Sequence, residues 1–136
     1  MEVFSVFSSD KKLIDILIEK FLNNDILSQI SKDEDTIYLE NPDSGRIYIH
    51  FENDFEKEMK INFEQKEEEL IRSFFTNNPV FMLDVSYNDS ALLREVLLRF
   101  TEEIKLDYNG NKIPLLFHDP FVGFVVIDGI GAVLSQ

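Results

Sequence analysis

The chain carries no recognisable catalytic motif, and its two histidines are widely separated in the sequence. Its two histidines are His50 and His118, and His118 stands directly before Asp119 and Pro120. A histidine beside a carboxylate can form half of an acid–base or metal site. Neighbouring residues on an extended chain point apart, however, so this pair needs a further group from elsewhere. The competing interpretation is a loop histidine beside a turn.

Asp84 is another candidate because it lies within an apolar run, Val80 to Tyr87, and on the same strand face as Met82. A carboxylate that is removed from water can serve as a tuned acid. The alternative is a residue that caps a neighbouring turn. Together with His118 and Asp119, Asp84 defines one alternative function, a small enzyme or ligand-binding module.

Other sequence motifs of catalytic or cofactor-binding sites are absent or incomplete. The chain contains no cysteine, which excludes disulfides and thiolate metal sites. The sequence Gly129-Ile130-Gly131 lacks the third glycine of a dinucleotide-binding loop. Acidic runs such as residues 67–69 are typical of solvated faces. We therefore expect no catalytic residue, no cofactor and no metal, and we predict that the protein is not an enzyme.

The chain is strongly acidic, with 26 aspartates and glutamates against 13 lysines and arginines and a net charge of −13. The excess is concentrated in residues 31–72, where 13 acidic and six basic residues give −7. Such a surface repels a phosphate backbone or an anionic membrane, which argues against nucleic acid and membrane as partners. A basic protein is the partner that this charge favours, although a role in solubility alone would also account for it.

Length and apolar content predict one domain over residues 1–136. Met1 to Phe7 lacks the basic and long apolar regions of a signal peptide. The apolar stretch Phe121 to Leu134 is too short to span a bilayer as a helix. These features favour a cytoplasmic protein.

Two segments have the pattern of a buried strand followed by a capped amphipathic helix. In the first, the strand Val3 to Phe7 precedes helical apolar positions at Leu13, Ile14, Leu17, Ile18 and Phe21. In the second, the strand Val80 to Tyr87 precedes apolar positions at Leu92, Leu93, Val96, Leu97 and Phe100. The two segments form a faint internal repeat. A further helix is predicted over Asn62 to Phe75, and a final strand over residues 121–127.

A hairpin is predicted between Thr36–Glu40 and Arg46–Glu52, joined by the turn residues 41–45. Pairing Glu40 with Arg46 places Ile37, Leu39, Ile47, Ile49 and Phe51 on one wholly apolar face. The other face then carries Tyr38 opposite Tyr48 and Thr36 opposite His50, so a shift by one residue would mix the two faces. A second hairpin is predicted around Asn109-Gly110, with Ile104 to Tyr108 and Lys112 to Phe117 as its strands.

These elements predict an α+β fold, a mostly antiparallel sheet with about three helices packed mainly on one face. A second layer over the polar face of the first hairpin, formed for example by the C-terminal segment, is the alternative to an open face.

The segment Phe81 to Asp89, followed by Leu92 to Phe100, resembles small immunity proteins of bacterial toxin systems. That resemblance implies an acidic, cysteine-free α+β protein that binds and blocks a basic cognate toxin. Tyrosine and arginine on an exposed sheet face are typical interface anchors. The candidate partner-binding residues are therefore Asp33, Glu34, Asp35, Tyr38, Glu40, Arg46, Tyr48, His50 and Glu52. The alternatives are the enzyme or ligand-binding module above and a structural, oligomer-forming domain.

Overall fold

A computed structural model describes residues 1–134 of the chain. Within them lie seven β-strands, five α-helices and one 3-10 turn. The strands are β1 (Glu2–Ser8), β2 (Ser28–Lys32), β3 (Thr36–Asn41), β4 (Gly45–Glu52), β5 (Phe81–Tyr87), β6 (Leu115–Asp119) and β7 (Gly123–Val126). The helices are α1 (Lys11–Leu22), α2 (Phe55–Asn62), α3 (Gln65–Phe74), α4 (Ser90–Tyr108) and α5 (Ile130–Leu134), and the 3-10 turn is Ile127–Gly129.

All seven strands form one sheet in the order β2-β3-β4-β5-β1-β6-β7. Every neighbouring pair in this sheet is antiparallel. The predicted α+β class is therefore confirmed. The two strand–helix units of the faint repeat lie at the centre, because β1 and β5 are direct neighbours.

The register of the first hairpin is confirmed residue by residue. Glu40 pairs with Arg46, Tyr38 with Tyr48, and Thr36 with His50. Ile47 and Ile49, on the opposite face of β4, are almost wholly buried. The hairpin turn also rests against the loop before α4, where Asn88 Oδ1 accepts a hydrogen bond of 2.7 Å from the Arg46 amide.

Helices lie on both faces of the sheet, which corrects the prediction of about three helices mainly on one face. The helices α1 and α4 cover one face, through buried residues that include Leu17, Phe21, Leu93, Leu97 and Phe100. The helices α2 and α3 cover part of the other face, through Phe55, Met59 and Ile71. Helix α2 has only a weak apolar pattern, since only two of its eight residues are buried, and it was not predicted.

The second predicted hairpin is wrong. Helix α4 continues without a break to Tyr108, and Asn109 ends it in the left-handed conformation with φ 47°. The Asn109 amide donates to the Lys105 carbonyl, as a C-terminal helix cap requires. Asn-Gly supplies positive φ equally well to a hairpin turn and to a helix end, so the motif alone does not distinguish them.

The other boundaries shift by a few residues. The predicted helix over Asn62 to Phe75 begins at Gln65 instead, with Glu64 as its N-cap and Glu67 completing a capping box. Asn62 is the last residue of α2. The predicted final strand over residues 121–127 shortens to β7, and its last position belongs to the 3-10 turn.

Candidate functional site

The sheet face that carries α2 and α3 is organised in rows that run across the strands. The strand register aligns one side chain from each strand, so each row can be followed from β3 or β4 towards β7. The row beneath the helices contains Met82, Phe7 and Leu116, all almost wholly buried. We call it the covered row, and it packs against Phe55 and Met59 of α2.

The next row contains most of the chain's chemistry-bearing side chains, and we call it the polar row. Its members, from β3 to β7, are Thr36, His50, Asp84, Ser5, His118 and Phe124. Ser5 Oγ donates a hydrogen bond of 2.7 Å to Asp84 Oδ1. Thr36 Oγ1 and His50 Nδ1 lie 2.9 Å apart. Ser5 is buried, so its hydroxyl is enclosed with the Asp84 carboxylate rather than presented to solvent.

Three carboxylates meet at the margin of α2. Oxygen atoms of Glu52, Glu58 and Asp84 all lie within 4.8 Å of one another. Burial raises the pKa of Asp84, and the charges of Glu58 and Glu52 add to that shift, while the Ser5 hydroxyl and His50 oppose it. Oxygen ligands of this type suit hard divalent cations, so these three residues are the group that could hold one. The proximity of three acidic side chains is also explained by α2 packing its Glu58 over the sheet.

His118 lies at the other end of the polar row, beneath α3. Its Nε2 is 3.6 Å from Glu67 Oε2, and its ring contacts Phe63 and Phe124 at centroid distances of 5.4 Å and 4.8 Å. Burial lowers the pKa of His118, while the charges of Glu67 and Asp119 oppose that shift. A half-buried histidine among aromatic rings is mainly a packing residue, with Glu67 as its polar contact.

The three residues of the enzyme alternative do not converge. Asp84 and His118 share the polar row but are separated by β1, which puts two strand spacings, about 10 Å, between their backbones. Asp119 points to the opposite face and is buried. Its Oδ1 accepts hydrogen bonds from the Phe121 and Val122 amides, at 2.8 Å and 3.0 Å. Asp119 therefore stabilises the turn between β6 and β7.

Within residues 1–134, no side chain of this sheet face beyond the polar row belongs to the cluster packed beneath α2 and α3. The next row contains Tyr38, Tyr48, Ser86 and Val3, of which Val3 is 41% exposed. Glu40 and Arg46 continue this surface, and we call the six residues the tyrosine face. The rings of Tyr38 and Tyr48 meet edge to face, with centroids 4.8 Å apart.

Arg46 is the only cation on the tyrosine face as defined. Its Nε lies 3.6 Å from Glu40 Oε1. Hydrogen bonding to Tyr48 is the main cause that raises the pKa of Arg46, with smaller contributions from Glu40. The guanidinium thus lies beside the Glu40 carboxylate at a half-exposed position.

The acidic segment Asp33–Asp35 divides between the two sides of the sheet. Asp33 Oδ2 accepts a hydrogen bond of 2.8 Å from the Tyr38 hydroxyl, so Asp33 adjoins the tyrosine face. That hydrogen bond is the main cause that raises the pKa of Tyr38. Glu34 and Asp35 instead border a groove of about 250 Å³ on the other side. The floor of this groove is apolar and consists of Ile18, Ile37, Ile49, Phe51 and Leu83.

A separate cavity of about 510 Å³ lies at the end of α4, away from the candidate residues. Two lysines line it, and both have partners. Lys105 Nζ is 2.9 Å from Asp128 Oδ1, and Lys112 Nζ donates to the Phe74 carbonyl at 3.1 Å. Lys112 therefore caps the C-terminal end of α3.

Six of the nine predicted partner-binding residues share one sheet face: Tyr38, Glu40, Arg46, Tyr48, His50 and Glu52. Asp33 joins them, whereas Glu34 and Asp35 do not. Val3, Ser86 and Glu58 were not predicted, and β1, β5 and α2 bring them to this surface. Strand order is needed to place them, and alternation within one strand does not contain that information.

Comparisons of the chain with protein-family models, with curated proteins and with solved structures give no match. Among the helices of residues 1–134, none combines the length and apolar character needed to cross a membrane.

Proposed function

We propose that this chain is a non-catalytic binding protein that docks a basic protein through its tyrosine face. In the most specific form of the proposal it is an immunity-type inhibitor that neutralises a basic toxin by direct contact. The observation that carries the proposal is the uncovered half of an otherwise helix-covered sheet face, where two tyrosines remain at the surface.

Tyrosine is suited to such a role because its large, rigid ring gives contact area at a low cost in conformational entropy. Tyr38 and Tyr48 are already fixed by their edge-to-face contact and by the hydrogen bond from Tyr38 to Asp33. A partner would therefore meet a preorganised surface, which reduces the cost of binding.

The surrounding charge favours a basic partner. Asp33, Glu40 and Glu52 flank the tyrosines, and Arg46 is the balancing cation on the face itself. The whole chain has a net charge of −13. Complementary charge raises the rate of encounter and disfavours acidic competitors.

Affinity capture from a lysate of the producing organism, at low and high salt, tests the proposal. The parent protein is compared with a Tyr38→Ala/Tyr48→Ala variant, and Leu106→Ala is the matched control because Leu106 is an exposed apolar residue on α4, the helix that packs on the opposite face of the sheet. We expect one basic protein to be captured by the parent and the control and lost with the tyrosine variant. If the captured protein is toxic, co-expression of the parent should restore growth and the tyrosine variant should not.

Capture that is equal for the parent and the tyrosine variant would contradict the proposal. Recovery of a second copy of the chain through the tyrosine face would instead support the oligomer-forming alternative. Capture of acidic proteins only would contradict the proposal that the acidic surface selects a basic partner.

A further inference from the structure

The strand β2 is an exposed edge beside the tyrosine face. It pairs with β3 on its inner side, and within residues 1–134 no strand pairs with its outer side. All five of its residues are exposed, including the apolar Ile30 at 51%. An edge of this kind presents unpaired backbone N–H and C=O groups that a further strand can use.

Both ends of β2 are fixed even though its centre is exposed. Before the strand, Asn24 Oδ1 accepts hydrogen bonds from the Ile26 and Leu27 amides, and Leu27 is buried. Asn41 Nδ2 donates to the Ile26 carbonyl at 2.7 Å. After the strand, the Asp33 amide donates to the Thr36 carbonyl at 2.8 Å. The edge is therefore preorganised for pairing, so little ordering of this chain is needed on binding.

We propose that β2 receives an extended, basic segment of the partner as an eighth strand of the sheet. This inference rests on the proposed function, because it takes the partner to be a basic protein. Acidic residues flank the strand, with Asp25 before it and Asp33–Asp35 after it. Within residues 1–134, none of these carboxylates forms an ion pair with lysine or arginine. Charge complementarity therefore selects a segment that carries lysine or arginine.

Side chains of an added strand would alternate between two different surfaces. On one side they lie beside Ser31 of β2, whose partner on β3 is Tyr38. On the other side they lie beside the groove of about 250 Å³, which has an apolar floor and a border of Glu34, Asp35 and one cation, Lys32 of β2 itself. That combination suits the aliphatic stem and cationic head of lysine or arginine. The chain's own Lys11 Nζ already lies 5.9 Å from the Phe51 ring centroid, near this floor.

Charge disfavours a second copy of the chain at the same edge. Antiparallel self-pairing centred on Ile30 would place Asp25 of one copy opposite Asp35 of the other. Like charges directly opposite each other destabilise a strand pair.

Solution NMR and hydrogen exchange of the full chain test this proposal with a defined probe, a short capped peptide of alternating lysine and valine. The control is the same peptide with N-methyl groups on the amides of one edge, which preserves its charge but blocks ladder hydrogen bonds. We expect the unmethylated peptide to shift and protect the amides of Ser28–Lys32, and the methylated peptide to bind at least about tenfold more weakly.

A pair of charge-matched variants separates the β2 edge from general acidity. Glu34→Gln/Asp35→Asn should weaken peptide binding about tenfold, whereas Glu102→Gln/Asp107→Asn, on exposed positions of α4, should change it less than about twofold. Tyr48→Ala should leave peptide binding nearly unchanged, so failure here is distinguishable from failure of the tyrosine face.

Three results would overturn the proposal. The first is equal binding of the two peptides, which indicates non-specific attraction. The second is no protection of the β2 amides at roughly millimolar peptide. The third is protection of β2 that increases with protein concentration without peptide, which indicates a second copy.

Discussion

The sheet face that carries α2 and α3 has two halves that differ in burial: the covered row and the tyrosine face, which we call the open half. In the covered row, Phe7, Met82 and Leu116 are almost wholly buried beneath Phe55 and Met59. Four residues along the same strands from Phe7 and Met82, Val3 and Ser86 belong to the tyrosine face, where Val3 is 41% exposed. The polar row lies between the two halves and marks the limit of the helices.

The two halves differ in what their side chains require. Phenylalanine, methionine and leucine have no polar group and gain most by complete burial. Tyrosine has a hydroxyl that needs a partner or water, and so is suited to a surface that is covered only part of the time. The helices α2 and α3 pack where the sheet is apolar. Arg72 of α3 forms an ion pair with Glu56 of α2 at 2.6 Å and a second one with Glu68 of its own helix at 3.4 Å. The difference indicates that the open half is a finished surface rather than an incomplete core.

The largest effect is expected from charge placed on the two sides of β4. Ile49→Asp buries a carboxylate beneath α1 and α4 and should destabilise the fold by several kcal/mol, on the order of 4. Tyr48→Asp, one residue away on the open side, should cost less than about 1 kcal/mol. Urea denaturation of both variants measures the difference. Equal losses would mean that the open half is structurally covered.

Truncation should distinguish the two halves of the same face. Phe7→Ala removes a buried ring that contacts Phe55 and Phe63, and we expect a loss of about 3–5 kcal/mol. Tyr48→Ala removes a half-exposed ring and should cost about 1 kcal/mol. Thermal unfolding checks both values. A Tyr48→Ala variant as unstable as Phe7→Ala would contradict the assignment of Tyr48 to a binding surface.

The contrast also shows what the sequence could predict. Strict alternation in Thr36–Asn41 and Gly45–Glu52 determined both the hairpin register and which side chains share a face. Local pattern was sufficient there because both strands are adjacent in sequence and their turn is short. The capped starts of α1 and α4 were likewise predicted, and Asp10 and Asp89 each accept a hydrogen bond from the first helical turn.

Features that depend on distant partners were not predictable in this way. The helix α2 has a weak apolar pattern, Phe55 and Met59 alone, and is stabilised by the sheet beneath it. The strand β2 is polar and wholly exposed, so no apolar alternation marked it. The polar row exists only because β1 lies between β5 and β6, which places Ser5 next to Asp84 and His118.

Asp84, in the polar row between the two halves, should make the stability of the fold depend on pH. Its pKa is raised in the folded state, so the folded protein retains a proton there that the unfolded chain has lost. Stability therefore falls as pH rises from the unfolded value of about 4 through the higher folded value. Asp84→Asn keeps an acceptor for Ser5 and removes the charge.

We expect Asp84→Asn to be more stable than the parent at neutral pH, because the variant has no buried negative charge at this position. The gain should shrink towards zero in acid, where the parent is protonated. Denaturation curves across this pH range measure it, with Asp107→Asn as a control on the exposed surface of α4. A gain that is independent of pH would show that the carboxylate cluster is not its cause.

The smallest expected effect concerns whether the acidic segment belongs to the open half at all. The Tyr38 hydroxyl donates a hydrogen bond to the Asp33 carboxylate, and this contact opposes ionisation of the phenol. Asp33→Asn removes that charge, so the pKa of Tyr38 should fall back towards its ordinary value of 10.0. Glu34→Gln changes the same net charge one residue away, but Glu34 borders the groove on the other side of the sheet and should leave Tyr38 nearly unaffected. Alkaline titration by ultraviolet absorbance, with Tyr38→Phe to assign the transition, measures both variants. Equal shifts would mean that Asp33 acts only through general surface charge, and the open half would then end at Tyr38 rather than extend into the acidic segment.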